Sequence, residues 1–237
     1  MIIGNGLIAN ALKDSDREHT VFIAAGVSDS TAIGKWEFER EADLVKRTIA
    51  DHGDKLIVFF STFSINDPAM KENLYVKNKL RLEKYIREMC SKFLIVRVSN
   101  LVGPGGNKRN IFNYLFDHIV NGEHFTLWKN AKRNLITVND FVTVLNHILD
   151  KEFCENPNTT VNIINVVSFS INEIVETIES ATGYKAVYDL SDIESQPQYT
   201  DDKARLRMQR LNIDTRDYLN KILNSYFLTS NKVSSKD

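Results

Sequence analysis

The sequence lacks the features that mark disulfide-rich, zinc-binding and membrane-spanning proteins. Its 237 residues include only two cysteines, Cys90 and Cys154, with no Cys-x-x-Cys spacing. Neither a disulfide framework nor a metal site is therefore predicted, and a reducing cytosol fits. No stretch approaches the roughly 18 apolar residues of a spanning helix. The first residues, "MIIGNGLIAN", begin a strand without a signal-peptide pattern. We therefore expect a cytoplasmic protein.

The charge is balanced. With 30 Lys+Arg against 31 Asp+Glu the net charge is -1, so no basic field favours a nucleic-acid or membrane partner. A small-molecule or protein partner is the better expectation.

Short apolar runs alternate with longer helical patterns over the first half of the chain. The runs "KLIVFFST" and "FLIVRVSN" have no polar face, which is typical of strands buried on both sides of a parallel sheet. Helical patterns such as "EFEREADLVKRTIADHG" and "LYVKNKLRLEKYIREMCSK" lie before and between them. This order predicts an α/β fold with a Rossmann-like, doubly wound parallel sheet.

A glycine-rich turn lies between the first strand and the first helix. Gly4, Gly6 and Ala9 form a G-x-G-x-x-A pattern. Glycines let the backbone approach a pyrophosphate closely, and a helix N-terminus supplies N–H donors. A tight turn also needs glycine for purely steric reasons. The position directly after the first strand favours a dinucleotide.

Three residues suggest proton-transfer chemistry. Tyr75 and Lys79 lie four apart on a predicted helix, so their side chains project from one face. An ammonium beside a phenol favours the phenolate and would suit Tyr75 to general acid or base work. The alternative is a solvated helix face. Thr62 ends the strand "KLIVFFST", where open α/β sheets place their ligands, and this favours a site over the alternative.

Several segments, in order, resemble those of the extended short-chain dehydrogenase/reductases of the nucleotide-sugar epimerase/dehydratase family, from Met1 to about Tyr188. "GNGLIA" resembles the nucleotide loop, "VFIAAGVS" the strand beside the cofactor, "FFSTFS" the Ser/Thr strand and "YVKNK" the Tyr-x-x-x-Lys helix. "VRVSNLVGPGGN" and "RNLITVNDF" resemble the Arg-x-x-Asn-x-x-Gly-Pro and Arg-x-x-Ile-x-Val-x-Asp segments. "INVVSFSINEIVETIESATG" resembles the closing strand and helix.

The resemblance implies NAD or NADP as cofactor and a nucleotide sugar as substrate. Thr62 would bind the reacting sugar oxygen, Tyr75 would exchange its proton, and Lys79 would hold the nicotinamide ribose and lower the pKa of Tyr75. The implied cofactor-binding residues are Gly4, Asn5, Gly6, Leu7, Ile8, Ala24, Ala25, Gly26, Ser61, Tyr75 and Lys79. The implied substrate-binding residues are Thr62, Ser64, Asn100, Asn107 and Arg133.

Asn100 and Arg133 match positions that hold the phosphates of the sugar nucleotide, a task that suits a guanidinium. The alternatives are a loop-capping amide for Asn100 and a surface side chain for Arg133.

Departures from the family pattern reduce the number of reaction types that we expect. Similar sugar 4,6-dehydratases follow the Ser/Thr with an Asp-Glu pair, but this chain has Phe63 and Ser64. Members that combine epimerisation with reduction use a Cys just after the serine, whereas Cys90 lies far along the helix. The reaction type that these departures leave open is hydride transfer at one carbon. We expect a keto-sugar reductase, a dehydrogenase or a C4-type epimerase of surface-polysaccharide or deoxysugar synthesis.

The connection between the first helix and the strand "TVFIAAG" is short. It holds only "DSDREH", whereas the family normally fits two more strands and a helix there, and a crossover to a parallel strand needs a dozen or more residues. We therefore expect "TVFIAAG" to lie beside the first strand, with the adenosine half of the sheet missing. The alternative function is then a catalytically silent nucleotide-sugar-binding or scaffold protein of the same fold.

The predicted organisation is a Rossmann-like cofactor-binding core at residues 1–103 and a small, mainly substrate-binding lobe at residues 104–237. The lobe includes elements that return to the core and a polar tail, expected to fray, from about residue 228. Within it, Ser170 and Glu173 have the spacing of a capping box, and Gly183 marks a helix end. The resemblance also implies a homodimer through the two long helical patterns, whose leucines and Ile86 exceed what one sheet face needs.

Overall fold

A computed structural model describes residues 1–155, 157–192 and 201–233. The strands are β1 (Ile2–Ile3), β2 (Thr20–Ile23), β3 (Leu56–Thr62), β4 (Phe93–Val98), β5 (Asn100–Val102), β6 (His124–Trp128), β7 (Lys132–Thr137), β8 (Thr159–Ile163), β9 (Ser168–Ser170) and β10 (Val187–Ser191). The α-helices are α1 (Leu7–Ala11), α2 (Lys35–His52), α3 (Leu74–Met89), α4 (Ile111–Asn121), α5 (Val138–His147), α6 (Ile171–Thr182), α7 (Asp202–Arg210) and α8 (Tyr218–Val233).

The predicted fold class is confirmed. A five-stranded sheet has the order β1-β2-β3-β4-β8, and every neighbouring pair in it is parallel. All residues of β2 and β3 are buried, as expected for strands covered on both faces. Apolar side chains of α2 and α3, including Val45, Leu82 and Ile86, pack with Ile57 and Phe59 of β3.

The shortened first half of the sheet is also confirmed. Between α1 and β2 there is only a 3-10 turn, Lys13–Ser15, with a few flanking residues. β2 pairs directly with β1, Ile2 opposite Phe22 and Ile3 opposite Ile23. β1 is therefore the edge strand, and the sheet ends there.

The chain divides into two compact units. The first comprises Met1–Ser99 and Val138–Ile164, and the second comprises Asn100–Thr137 and the described part of Asn165–Asp237. The first unit contains the five-stranded sheet, to which α5 and β8 return after the chain has passed through the second unit.

The second unit has its own core. A three-stranded sheet has the order β5-β7-β9, and β10 pairs with β6. Phe112, Leu135, Ile174 and Tyr218 are among the buried residues of this core.

The predicted ends of α6 are confirmed. Ser170 and Glu173 form the reciprocal capping box, and Gly183 is left-handed with φ 76°. The expected tail is wrong in part, because α8 continues through residue 228 to Val233. Residues 234–237, the rest of that prediction, lie outside the described residues.

Among the described helices, none combines the length and apolar character needed to cross a membrane.

Candidate active site

Strand β3 and helix α3 position the proton-transfer residues. Thr62 is the last residue of β3, and its Oγ1 accepts a hydrogen bond of 3.1 Å from the backbone N–H of Ser64 in the following turn. Asn73 caps α3, since its side chain accepts from the N–H groups of Tyr75 and Val76. The cap begins α3 at Leu74 and so places Tyr75 in the first turn of the helix.

Tyr75 and Lys79 are buried together. Their exposed fractions are 8% and 3%, and the Lys79 Nζ lies 5.7 Å from the centroid of the Tyr75 ring. The ring packs with Val27 and Phe38, against which Ile65 of the turn after Thr62 also packs. The solvated helix face, which was the alternative explanation of the Tyr-x-x-x-Lys spacing, is therefore wrong.

The sequence did not reveal the partner of Lys79, which is Glu41 on α2. The Nζ donates to Glu41 Oε1 at 2.6 Å and to the carbonyl oxygen of Phe60 at 3.2 Å. Glu41 is 1% exposed, and its second oxygen accepts from Asn78 at 2.9 Å. Burial alone would lower the pKa of Lys79, but the Glu41 carboxylate outweighs it and the pKa is raised.

One pattern in the sequence would have shown that Glu41 is buried, although it was not used in the sequence analysis. Glu41 lies three residues after Phe38 and four before Val45, both buried on α2. This spacing places Glu41 on the apolar face of the helix.

A second buried carboxylate, Glu83, lies one turn beyond Lys79 on α3. It accepts from Ser61 at 2.7 Å, from Arg97 at 2.9 and 2.7 Å, and from Arg87 at 2.7 Å. Burial raises the pKa of Glu83, but these hydrogen bonds outweigh it and hold the pKa below its usual value. Ser61, a predicted cofactor residue, thus has its hydroxyl committed to Glu83.

The glycine turn lies against the end of β2. Gly4 has φ 132°, and a Cβ there would overlap the carbonyl oxygen of Ala24. Residues Gly4, Asn5 and Gly6 are exposed, and Leu7 and Ile8, which begin the five-residue helix α1, are half-buried. The structure thus brings two predicted cofactor segments, Gly4–Ile8 and Ala24–Gly26, together.

Gly26 leaves room for the buried ion pair. A Cβ at Gly26 would overlap Glu41 Oε1 and would lie 2.8 Å from Lys79 Nζ. The absence of a side chain there lets the pair approach the backbone after β2. The structure therefore brings Gly26 and Lys79 together.

The remaining predicted substrate residues belong to the second unit. Asn100 on β5 donates to the carbonyl oxygen of Asn134 on the paired strand β7 at 3.0 Å. Arg133, also on β7, lies over the Trp128 ring at 5.5 Å and donates to the Lys132 carbonyl oxygen at 2.9 Å.

Asn107 lies in the loop before α4, where its side chain accepts from the Arg109 N–H and its carbonyl oxygen accepts from Asn113. Tyr226 of α8, which no sequence pattern had indicated, also contacts this loop region. The Tyr226 hydroxyl donates to Asn113 Oδ1 and to the Gly103 carbonyl oxygen. Burial is the main reason that the pKa of Tyr226 is raised.

Part of the chain that contains these segments matches a known protein family. Residues 52–163, which include Thr62, Tyr75, Lys79 and Asn100, match the sequence model of the NAD dependent epimerase/dehydratase family. The predicted family resemblance is confirmed. No curated protein matches the chain significantly.

Several solved structures share the fold. The chain resembles MoeE5 in complex with UDP-glucose and NAD, with 18% identity and a TM-score of 0.68, covering 96% of this chain and 85% of that one. It resembles UDP-N-acetylglucosamine 4-epimerase from Bacillus cereus with 20% identity and a TM-score of 0.68, covering 93% and 80%. RMD from Pseudomonas aeruginosa, complexed with NADPH, has 14% identity and a TM-score of 0.68, covering 94% and 87%.

Proposed function

We propose that the protein is an NAD(P)-dependent oxidoreductase that acts on a nucleotide-activated sugar, as a keto-sugar reductase or a C4-type epimerase. The observation that carries the proposal is the burial of Tyr75 and Lys79 side by side on α3, whose first turn packs against the segment that follows Thr62. The similar structures contain UDP-glucose with NAD, or NADPH, which supports this class of substrate and cofactor.

The chain's own residues have distinct tasks in this proposal. Tyr75 exchanges the proton of the reacting sugar oxygen. The Oγ1 of Thr62 already accepts from Ser64, but a hydroxyl keeps its own proton to donate, so Thr62 orients the same oxygen. Lys79 places a positive charge 5.7 Å from the centroid of the Tyr75 ring. When bound, the nicotinamide supplies or accepts the hydride.

The residues fit part of the cofactor. The turn at Gly4–Gly6 is exposed and a Cβ at Gly6 would meet nothing within 4 Å, so a pyrophosphate can approach the backbone closely there. We propose that this turn, with Leu7, Ile8 and Ala24–Gly26, holds the pyrophosphate and nicotinamide ends.

The adenosine end lacks a comparable cradle, because the sheet ends at β1. Two charged residues of the short connection are engaged elsewhere. Asp16 binds the N-terminal ammonium, and Arg17 donates to Asp150.

For the substrate, we propose that Arg133 binds the phosphates of the nucleotide sugar, with Asn100, Asn107 and Ser64 as further contacts. A guanidinium suits a diphosphate because it donates several hydrogen bonds in a fixed geometry.

The second candidate is a catalytically silent nucleotide-sugar-binding or scaffold protein. Two observations favour it: the sheet lacks its adenosine half, and Glu41 already neutralises Lys79. A purified protein that neither carries nor takes up a nicotinamide cofactor would support this candidate.

We further propose a cytoplasmic homodimer that forms through α2 and α3. Ile86 does not contribute to such an interface, because it is fully buried in the first unit, as is Leu82. The large apolar side chains available for it are the exposed Trp36 on α2 and the exposed Leu74, Leu80 and Met89 on α3.

A thermal-shift screen against nucleotide sugars tests the proposed substrate. A ligand that binds only the native state at 100 times its Kd adds about 2.7 kcal/mol of stability, so a substrate raises the melting temperature and the parent free sugar does not. Arg133→Ala should remove the shift, whereas Arg216→Ala, which removes an exposed arginine paired with Asp214, should keep it. No shift with any nucleotide sugar would contradict the proposal.

A further inference from the structure

The ion pair of Glu41 and Lys79 is shielded from water and built by three segments. α2 supplies Glu41, α3 supplies Lys79 and Asn78, and the backbone at Gly26 closes against both charged groups. The pair has a length of 2.6 Å, and its side chains are 1% and 3% exposed. Most ion pairs in the described residues have at least one partner at the surface, and this one does not.

Few other groups act on the Lys79 ammonium. The carbonyl oxygen of Phe60 accepts from it, and the rings of Phe59 and Tyr75 lie 5.1 and 5.7 Å away. Glu41, Tyr75 and, more weakly, Glu83 are the titratable groups that influence it. Glu83 is itself held by Arg97 of β4 and Arg87 of α3. Glu41 is thus the only one of these carboxylates in contact with the ammonium.

We propose that Glu41 is a positioning residue that keeps Lys79 charged in its buried place and aims its ammonium at the Tyr75 ring. The role in catalysis rests on the proposed function, but the role in holding a buried charge does not. A buried lysine that loses its carboxylate sheds its proton at a lower pH than an exposed lysine, since burial disfavours the charged form. Without Glu41, therefore, Tyr75 would lose its neighbouring positive charge as the pH rises.

The first test needs no substrate or cofactor. It compares urea unfolding of the wild type and Glu41→Gln between pH 7 and pH 10. Gln keeps the shape and one acceptor oxygen but removes the charge. In the wild type the folded-state pKa of Lys79 is raised, so its contribution is present below the unfolded value and is lost only as the pH rises through the folded value.

In Glu41→Gln the pH dependence of stability that Lys79 contributes has the opposite sign. The folded-state pKa of Lys79 falls below the unfolded value, so stability increases as the pH rises between the two. Because one proton is involved, the unfolding equilibrium constant should fall up to tenfold for each pH unit in that interval. The same pH slope in Glu41→Gln as in the wild type would overturn the proposal.

Glu83→Gln is the matched control. It also removes a buried carboxylate, but the partners it leaves are two arginines, Arg87 and Arg97, and arginine stays charged throughout this range. Glu83→Gln should therefore lose stability without acquiring the rising slope. An equal rising slope in this variant would also overturn the proposal.

A double variant covers the possibility that Glu41→Gln fails to fold. Glu41→Gln/Lys79→Met removes both charges at similar volume, so it should be more stable than Glu41→Gln at pH 7 and should lack the rising slope. A double variant that is no more stable than Glu41→Gln would show that the two charges do not depend on each other.

The second test is kinetic and separates positioning from a purely structural role. The ratio of kcat for Glu41→Gln to kcat for the wild type should fall at least fivefold as the pH rises through the interval found by unfolding, and the Glu83→Gln ratio should stay constant. A constant ratio for Glu41→Gln would overturn the catalytic part. If neither the wild type nor any variant converts a nucleotide sugar, the proposed function fails. The unfolding test still decides the role of Glu41 in that case.

Discussion

At the scale of single residues, Gly4 and Gly6 look alike in the sequence but have different surroundings. Gly4 has a left-handed φ of 132° and lies against the Ala24 carbonyl, whereas a Cβ at Gly6 would meet nothing within 4 Å. The first glycine is therefore required by backbone geometry and close approach. The second permits a ligand to approach the turn.

We predict that Gly4→Ala lowers the free energy of unfolding by at least about 2 kcal/mol, because a strained backbone and an overlap add. Gly6→Ala should cost less than about 1 kcal/mol, since only its N-cap preference is affected. Urea unfolding of the two variants measures the difference. Equal losses would show that the turn is not held against Ala24.

Individual residues also show which contacts the sequence could predict and which it could not. The four-residue spacing of Tyr75 and Lys79 predicted a shared face, which the structure confirms. It did not predict that Glu41, 38 positions before Lys79, would neutralise the lysine, because a pairing between two helices depends on how both pack on the sheet. Ser61 and Thr62 are adjacent hydroxyl residues, yet their partners are Glu83 and Ser64, since successive strand residues point to opposite faces.

At the scale of elements, the length of one connection predicted the shape of the sheet. The residues between α1 and β2 are too few for a crossover with its own helix, so β2 had to lie beside β1. The shortened sheet, which ends at β1, follows from this geometry. What remains is a five-residue α1 and a two-residue β1 at the edge.

We predict that NAD and NADP bind with affinities within a factor of ten, equivalent to less than about 1.4 kcal/mol. The reason is that the short connection offers no strand end for a residue that reads the ribose 2′ position, while Asp16 and Arg17 are engaged elsewhere. Calorimetric titration of both dinucleotides measures the ratio. Strong selectivity for one would show that another segment builds an adenosine pocket, and no binding of either would favour the scaffold alternative.

Helix α8 was not predicted as an element. Its sequence, "YLNKILNSYFLTSNKV", mixes polar and apolar residues, and only the part from about residue 228 was expected to be a frayed tail. Tyr218, Leu219, Ile222 and Leu223 nevertheless lie on one face and join the core of the second unit. Much of the stability of such a helix comes from packing, which a local sequence pattern does not reveal.

At the scale of the whole molecule, the chain crosses between its two units three times. The crossings fall at 99/100, 137/138 and 164/165. Composition does not mark them, because β7 runs directly into α5 without a linker. Elements that return to the core were expected from the sequence but were not named, and local patterns do not reveal where the chain crosses between the units.

We predict that the protein is a homodimer at micromolar concentration, because burial of Trp36, Leu74 and Leu80 would remove exposed apolar surface from water. Leu74→Glu/Leu80→Glu should convert it to a monomer, and sedimentation would detect the change. Leu206→Glu is the control, since Leu206, on α7 of the second unit, is as exposed as Leu74. A wild type that sediments as a monomer would remove this prediction.

The most direct test of the central claim is nucleotide-sugar conversion by the wild type, Tyr75→Phe and Tyr85→Phe. Reduced nicotinamide and the product sugar are followed together. Tyr75→Phe should abolish turnover while nucleotide-sugar binding stays nearly intact, because only the transferable proton is removed. Thr62→Val should weaken turnover less, and Tyr85→Phe, on the same helix, should match the wild type. Turnover by Tyr75→Phe within about threefold of the wild type, a loss under about 1 kcal/mol, would contradict the account.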